Sequence, residues 1–119
     1  PVFYIQYAYA RIMTILKKNN IALNSYDLSL LNNDDEIKLI NKLIDFKNII
    51  KKINTDMEPQ ILATYLLQLS SMFHKYYAKN RIINDCEELS KARLVFIKSI
   101  SIILKNGLNI LGISAPNKM

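Results

Sequence analysis

Tyrosine and the cationic residues are the side chains of this sequence whose types and spacing could do chemistry. Aromatic residues crowd two short stretches: Phe3, Tyr4, Tyr7 and Tyr9 near the start, and Phe73, Tyr76 and Tyr77 farther along. A tyrosine ring can stack on an unpaired base, and its hydroxyl can reach a base edge or a phosphate. Cationic residues close to these stretches could neutralise phosphates: Arg11, Lys17, Lys75, Lys79 and Arg81. The two stretches therefore indicate a surface either for single-stranded RNA or for a protein partner.

The net charge supports an anionic partner only weakly. The 119 residues include 16 Lys+Arg and 10 Asp+Glu, which gives a formal charge of +6, and such a charge favours polyanions. The basic residues are mostly lysine, however, and Ile and Asn are also abundant, a composition that AT-rich codons produce by themselves. The position of each residue is therefore more informative than the sum of the charges.

Of the aromatic residues, Phe3 and Phe73 are expected to belong to the hydrophobic core.

No catalytic or metal-binding group is expected in this chain. A single Cys excludes an internal disulfide and a Cys-based zinc site, and a single His leaves little room for a His-based one. Glycine-rich phosphate loops, His-Glu-x-x-His and G-x-S-x-G are all missing from the sequence. The acidic run 34–36 is interpreted as a helix cap, His74 as a surface or partly buried helical residue, and Cys86 as a structural one.

Apolar residues recur at helical spacing almost throughout, which predicts an all-α fold, a compact bundle of four to five helices. The first helix is expected over about 2–19, and a short turn around 26–31. A second helix starts at 33–36 and breaks near 46, a third covers about 57–79, and a last covers about 85–106.

Finer features of these helices also follow from the pattern. Ile37, Ile40 and Ile44 predict the buried stripe of the second helix. Thr55 or Asp56 is expected to cap the third helix, with Pro59 in its first turn. Gly107 is expected to end the last helix, because glycine adopts the left-handed conformation without strain.

The length suits one domain, residues 1–119, and no apolar run reaches the ~18–20 residues of a membrane span. The first residues lack the charged and apolar regions of a signal peptide, and they read as if cut from a longer polypeptide. Since Cys86 is the only thiol, the reducing cytoplasm is the expected compartment.

Three stretches resemble one known family. Residues 1–12 read PVFYIQYAYARI, residues 63–77 read ATYLLQLSSMFHKYY, and the end reads KNGLNILGISAPNKM. Their order and spacing resemble the C-terminal domain of arginyl-tRNA synthetase, the all-helical anticodon-binding domain of class I synthetases called DALR. Residues 91–94, KARL, stand where the family has its short motif. This chain has His74 where the family usually has Asn, and Tyr9 where it usually has His.

The resemblance implies a pocket for the middle anticodon base, a cytosine. The residues at matching positions are Tyr4, Ala8, Tyr77 and Met119, with Tyr7 and Arg11 beside them and Lys75 and Lys79 as phosphate contacts. Tyr77 is expected to stack or to make an edge contact, Ala8 to leave room, and Met119 to form an apolar wall. Gln6 could position its helix or touch RNA, and Arg93 is interpreted as a structural ion-pair or capping partner. Gly107 and Gly112 are expected to aim the tail at the pocket.

The resemblance also implies a parent enzyme that joins arginine to its tRNA with ATP and magnesium. Its catalytic domain would precede Pro1 and pack against this fragment, which by itself is expected to be monomeric, to hold no cofactor and to catalyse nothing. The expected partner is the anticodon stem-loop of an arginine-accepting tRNA, and no membrane. Two alternatives stay open: a helical protein–protein interaction domain, and the anticodon domain of another class I synthetase such as the cysteine enzyme. The terminal APxxM pattern favours arginine.

Overall fold

The computed structural model describes all residues from Pro1 to Met119 and contains helices but no strands. The five α-helices are α1 (Val2–Lys18), α2 (Asp34–Ile44), α3 (Phe46–Asp56), α4 (Pro59–Lys79) and α5 (Glu87–Ile110), and a short 3-10 helix spans Leu28–Leu30. The all-α prediction is confirmed, as are the short turn before the second helix and the break near residue 46. None of the helices combines the length and apolar composition that a membrane crossing requires.

The core forms where α1, α4 and α5 pack together. The predicted stripe of α4 is buried along its whole length: Leu62, Tyr65, Leu66, Leu69, Phe73 and Tyr76. α5 has α1, α4 and the 3-10 helix as neighbours, which agrees with its nearly continuous apolar surface. Phe73 is fully buried as expected, but Phe3 is 76% exposed, so its assignment to the core is wrong. Phe3 lies in the first turn of α1, at the exposed start of the helix.

A capping box starts α2, as the acidic run predicted. The Asn33 side chain accepts a hydrogen bond from the Glu36 backbone N–H at 2.8 Å, and the Glu36 carboxylate accepts one from the Asn33 N–H at 3.3 Å. These two bonds satisfy two N–H groups that the helix itself leaves unpaired. Asp34 and Asp35 place negative charge in the first turn, where the helix dipole favours it.

The predicted cap of α4 is wrong. The Thr55 hydroxyl donates to the Lys51 carbonyl within α3, and Asp56 is the last residue of that helix. Met57, with a φ of 54°, ends α3 in the left-handed conformation, and α4 begins without a side-chain cap. Pro59 occupies the first position of α4, as expected, where its missing N–H costs nothing.

The predicted buried stripe of α2 is also wrong. Ile37 and Ile44 are exposed, Ile40 is half-buried, and the residues that α2 buries are Leu39 and the acidic Glu36. A carboxylate can replace an apolar side chain in the core only where polar partners satisfy it. Those partners decide which face of α2 turns inward.

Tyr76 and Arg93 supply the partners of Glu36. The Tyr76 hydroxyl donates to Glu36 Oε2 at 2.5 Å, and Arg93 Nε donates to the same oxygen at 2.9 Å. Burial, followed by the bond to Glu36, raises the pKa of Tyr76, so its hydroxyl remains a donor. The interpretation of Arg93 as a structural ion-pair partner is confirmed.

The end of α5 lies farther along the chain than predicted. Gly107 is a buried residue inside α5, where a Cβ would come within 2.6 Å of the Leu66 side chain. Gly112, with a φ of 75°, is the residue that ends the helix. Its N–H donates to the Asn109 carbonyl at 3.0 Å and that of Ile113 to the Leu108 carbonyl at 2.9 Å, the two bonds of a Schellman motif.

Replacing Arg93 with alanine should lower the free energy of unfolding by about 3 kcal/mol, because it leaves a buried carboxylate without its cation. Lys91→Ala on the same helix is the matched control, since Lys91 pairs only with the exposed Glu87 and Glu88 and such pairs contribute under about 1 kcal/mol. Chemical denaturation of both variants measures the difference. Equal losses would show that the pair with Glu36 does not stabilise the bundle.

Candidate functional site

A cavity of about 600 Å³ lies between α1, the end of α4, the loop 80–83 and the end of the chain. It brings together five of the eight residues that the family resemblance singled out: Tyr7, Arg11, Tyr77, Lys79 and Met119. They come from three separate parts of the chain, and only the packing of α1 against α4 and the course of the tail make them neighbours.

The other three of these eight residues do not line this cavity. Tyr4 is 40% exposed and lies beside it, with its ring centroid 5.1 Å from that of His74. Ala8 is completely buried between the helices, so its role in leaving room is confined to the interior side of α1. Lys75 is exposed on α4, outside the cavity.

Arg11 connects α1 with α4. Its Nη1 donates to His74 Nδ1 at 3.0 Å, and its guanidinium carbon lies 4.4 Å from the centroid of the Tyr77 ring. A guanidinium over a tyrosine face is stabilised by roughly 0.5–2 kcal/mol. Because arginine can only donate, His74 Nδ1 is the acceptor, and the neutral ring carries its proton on Nε2.

His74 lies within a cluster of aromatic rings. The ring centroids of Tyr4, Tyr7 and Phe73 all lie 5.1–5.5 Å from the centroid of the His74 ring, and His74 Nε2 is buried without a hydrogen-bond partner. Burial and the nearby Arg11 charge lower the pKa of His74, because both disfavour a second positive charge there. The interpretation of His74 as a partly buried helical residue is confirmed. The hydrogen bond between His74 and Arg11 was not predicted from the sequence. The spacing of α4 could have indicated it, because His74 lies one helical turn before Tyr77, on the same helix face, and Tyr77 also contacts Arg11.

Tyr77 is held by neighbours that cover its ring. Arg11 lies over it, and the Phe73 ring runs nearly parallel to it, at 11° and a centroid distance of 5.9 Å. The Tyr77 hydroxyl forms no hydrogen bond within the chain and is not buried. Its edge and hydroxyl are thus the parts that a ligand in the cavity meets without displacing Arg11.

The tail that carries Met119 is fixed along α1. The Gln6 side chain donates to the Ser114 carbonyl at 2.9 Å, and the Tyr9 hydroxyl donates to Asn117 Oδ1 at 3.5 Å. These contacts follow the turn at Gly112. Of the two interpretations of Gln6, the structure supports the positioning role. Met119 is 59% exposed and forms part of the cavity wall.

The loop 80–83 forms the opposite wall and is fixed by side-chain hydrogen bonds. Arg93 Nη1 donates to the Arg81 carbonyl, and Asn33 Nδ2 donates to Asn80 Oδ1, both at 2.9 Å. Asn80 Nδ2 in turn donates to the Tyr76 carbonyl at the end of α4. The wall is thereby connected to the buried Glu36 network.

The lining of the cavity is cationic. Arg11, Lys18, Lys79 and Arg81 border it, and none of the lining residues is acidic. Lys18 was missed, although Tyr7, Arg11 and Lys18 recur at spacings that place them on one face of α1. No group of three or more His, Cys, Asp or Glu side chains that could hold a metal ion occurs in the chain. The site offers positive charge, aromatic edges and an apolar wall.

Lowering the pH should weaken folding through His74. Its folded-state pKa lies below the unfolded value of ~6.5, so its contribution to stability is complete above that pH and is lost as the pH falls through the folded pKa. The free energy of unfolding of the wild type should therefore fall between pH 7 and pH 5 more than that of His74→Asn, which keeps a possible acceptor for Arg11 but does not titrate.

Proton NMR gives an independent measurement, since His74 is the only histidine in the chain. Its ring resonances should titrate with a midpoint below ~6.5. A midpoint at or above that value, or equal pH slopes for wild type and His74→Asn, would contradict the burial of a neutral ring.

Comparison with known proteins identifies the family of this chain. Residues 5–119 match the family described as the DALR anticodon binding domain. Arginine–tRNA ligase of Vesicomyosocius okutanii subsp. Calyptogena okutanii is 44% identical over the whole chain, which covers 21% of that protein, and the enzyme of Geobacter metallireducens is 41% identical, with 22% of it covered.

Solved structures of arginyl-tRNA synthetases share the fold of this chain. Thermus thermophilus arginyl-tRNA synthetase superposes with a TM-score of 0.89 at 32% identity, over 98% of this chain and 21% of that one. Plasmodium falciparum arginyl-tRNA synthetase superposes with a TM-score of 0.86 at 28% identity, over the same shares. The chain thus spans about a fifth of the length of its relatives. By its sequence and its fold, the chain belongs to the DALR anticodon-binding domain family of arginyl-tRNA synthetases.

Proposed function

We propose that this chain binds the anticodon stem-loop of an arginine-accepting tRNA and that the cavity accepts the middle anticodon base, a cytosine. The convergence of Tyr7, Arg11, Tyr77 and Met119 on a cavity without acidic residues carries this proposal. A base entering such a site must leave its neighbours in the loop, as single-stranded RNA readily allows. The relatives reported above are arginine enzymes, which supports arginine over cysteine as the parent activity.

Tyr77 contacts the base through its edge in this proposal. Arg11 lies over the ring at 4.4 Å, so a base stacked there would have to displace the guanidinium. The free hydroxyl can exchange a hydrogen bond with a base edge, while the half-exposed ring of Tyr7 has room for stacking. Met119 closes the cavity with an apolar, polarisable side chain. Tyr4 supports this contact from beside the cavity, and the completely buried Ala8 supports it only through the packing of α1.

Lys79 and Lys75 contact phosphates of the same loop. Lys79 borders the cavity directly, and Lys75 is exposed one turn earlier on α4. Lysine is a flexible point charge, so these contacts add affinity without selecting a base.

Residues 1–119 are the RNA-recognition part of a longer ligase in this proposal. The catalytic domain, with its ATP and magnesium, belongs to the rest of that protein and packs against this part. The exposed Phe3 at the start of α1 is available for that contact. The part is monomeric and cytoplasmic and catalyses nothing by itself. A protein partner in place of RNA is the alternative that the binding experiments below test.

Tyr77→Phe should weaken binding of a stem-loop with cytosine at the middle position by roughly five-fold, the effect of one lost hydrogen bond. It should also reduce the preference for cytosine over uridine, as should Met119→Ala. Tyr26→Phe is the matched control, because Tyr26 is 47% exposed and lies outside the cavity. Fluorescence anisotropy with both stem-loops measures the effect. Unchanged discrimination in Tyr77→Phe and in Met119→Ala would place the base elsewhere.

Lys79→Ala should weaken binding of both stem-loops equally and reduce the slope of log affinity against log salt by about 1. Lys52→Ala, which removes the same charge from an exposed position on α3, should leave both quantities nearly unchanged. A salt titration of the two variants makes the comparison. Base-dependent weakening by Lys79→Ala would mean that Lys79 reads the base instead of the backbone.

A further inference from the structure

A second depression, of about 930 Å³, adjoins the cavity. The two meet at Thr14, Lys18 and Asn19, and the end of the chain borders both, with Met119 on the cavity and Lys118 on the second depression. Four lysines line this second depression: Lys17, Lys18, Lys98 and Lys118. We call it the lysine groove.

The four lysines come from three places, the last turn of α1, the middle of α5 and the tail. All four are exposed, and none forms an ion pair, since the ion pairs of the chain involve only Lys91 and Arg93 as cations. No acidic residue lines the groove. Like charges gathered without a counter-charge repel one another, and a bound anion relieves that repulsion.

The end of α1 determines how an anion could bind there. A helix C-terminus carries partial negative charge, which disfavours anion binding to the backbone. Lys17 and Lys18 offset that charge, and Asn19 Nδ2 donates to the Ile15 carbonyl at 2.8 Å. Binding must therefore come from flexible side chains. Such contacts suit a chain of phosphates better than one phosphate in a fixed geometry.

We propose that the lysine groove binds the phosphate backbone of RNA nucleotides adjacent to the one whose base enters the cavity. This inference rests on the proposed function, because the shared border at Lys18 makes one strand the simplest occupant of both sites. The half-buried side chains of Leu16, Ile21 and Leu23 give the groove an apolar floor against which a sugar or a base can pack. The groove contributes affinity that does not depend on sequence.

The test replaces three groove lysines, in the variant Lys17→Gln/Lys98→Gln/Lys118→Gln. Its matched control, Lys47→Gln/Lys51→Gln/Lys52→Gln, removes equal charge from exposed positions on α3, away from both depressions. The probes are the stem-loops with cytosine or uridine at the middle position and a hairpin of unrelated sequence. Arginine at the three groove positions, which keeps the charge, should preserve binding.

The groove variant should bind all three probes at least about ten-fold more weakly, and its salt slope should fall by about 2. Its preference for cytosine over uridine should remain. A groove variant that behaves like the control would overturn the inference even if the wild type discriminates between the stem-loops. A wild type that does not discriminate, together with weaker binding by the groove variant, would overturn the proposed base recognition and support the groove.

Inorganic phosphate distinguishes a backbone site from a site for the free anion. At matched ionic strength, phosphate should compete with the hairpin no better than chloride does. Competition by phosphate that is specific and is abolished in the groove variant would overturn the inference, because it would mark the groove as a site for a small anion.

Discussion

A buried carboxylate needs a partner for each of its oxygens, and the position of Glu36 in the core organises much of this bundle. One oxygen accepts from the Asn33 N–H at the start of α2, and the other accepts from Tyr76 on α4 and Arg93 on α5. Taking such a charge out of water costs several kcal/mol unless these bonds form together. They do so only when three helices meet in one arrangement, so the network selects how α2 packs.

The same network reaches the candidate site. Arg93 spans from Glu36 to the Arg81 carbonyl, and Asn80 is held between Asn33 and the end of α4. The loop 80–83 is therefore attached to Glu36, the one charged residue that is buried in the core. On the opposite side, the turn at Gly112 and the bond from Gln6 fix the tail that ends in Met119. A base could thus meet walls that are already positioned, which reduces the ordering cost of binding.

Hydrophobic periodicity correctly predicted the buried face of a helix where the burial is purely apolar. It failed where a polar contact determines which face of the helix is buried. The stripe of α4 was found because every third or fourth residue is apolar and buried. The stripe of α2 was missed because hydrophobicity cannot show that Glu36 has partners far away in the sequence. Gly107 and Gly112 carry the same local signal, and only the close approach of Leu66 shows that Gly107 serves helix packing. The candidate residues came from a family resemblance, since spacing alone cannot bring Tyr7, Tyr77 and Met119 together.

The environment of Arg11 explains how the site can be held in place and still attract an anion. Its partners are the neutral Nδ1 of His74 and the face of Tyr77, so its orientation is fixed without a carboxylate that would cancel its charge. This arrangement requires a neutral His74, because a protonated ring offers Arg11 no acceptor. Burial and the Arg11 charge both lower the pKa of His74, so the contact that positions Arg11 also keeps its partner neutral. The positive charge of Arg11 thus remains available to a phosphate or to a base edge.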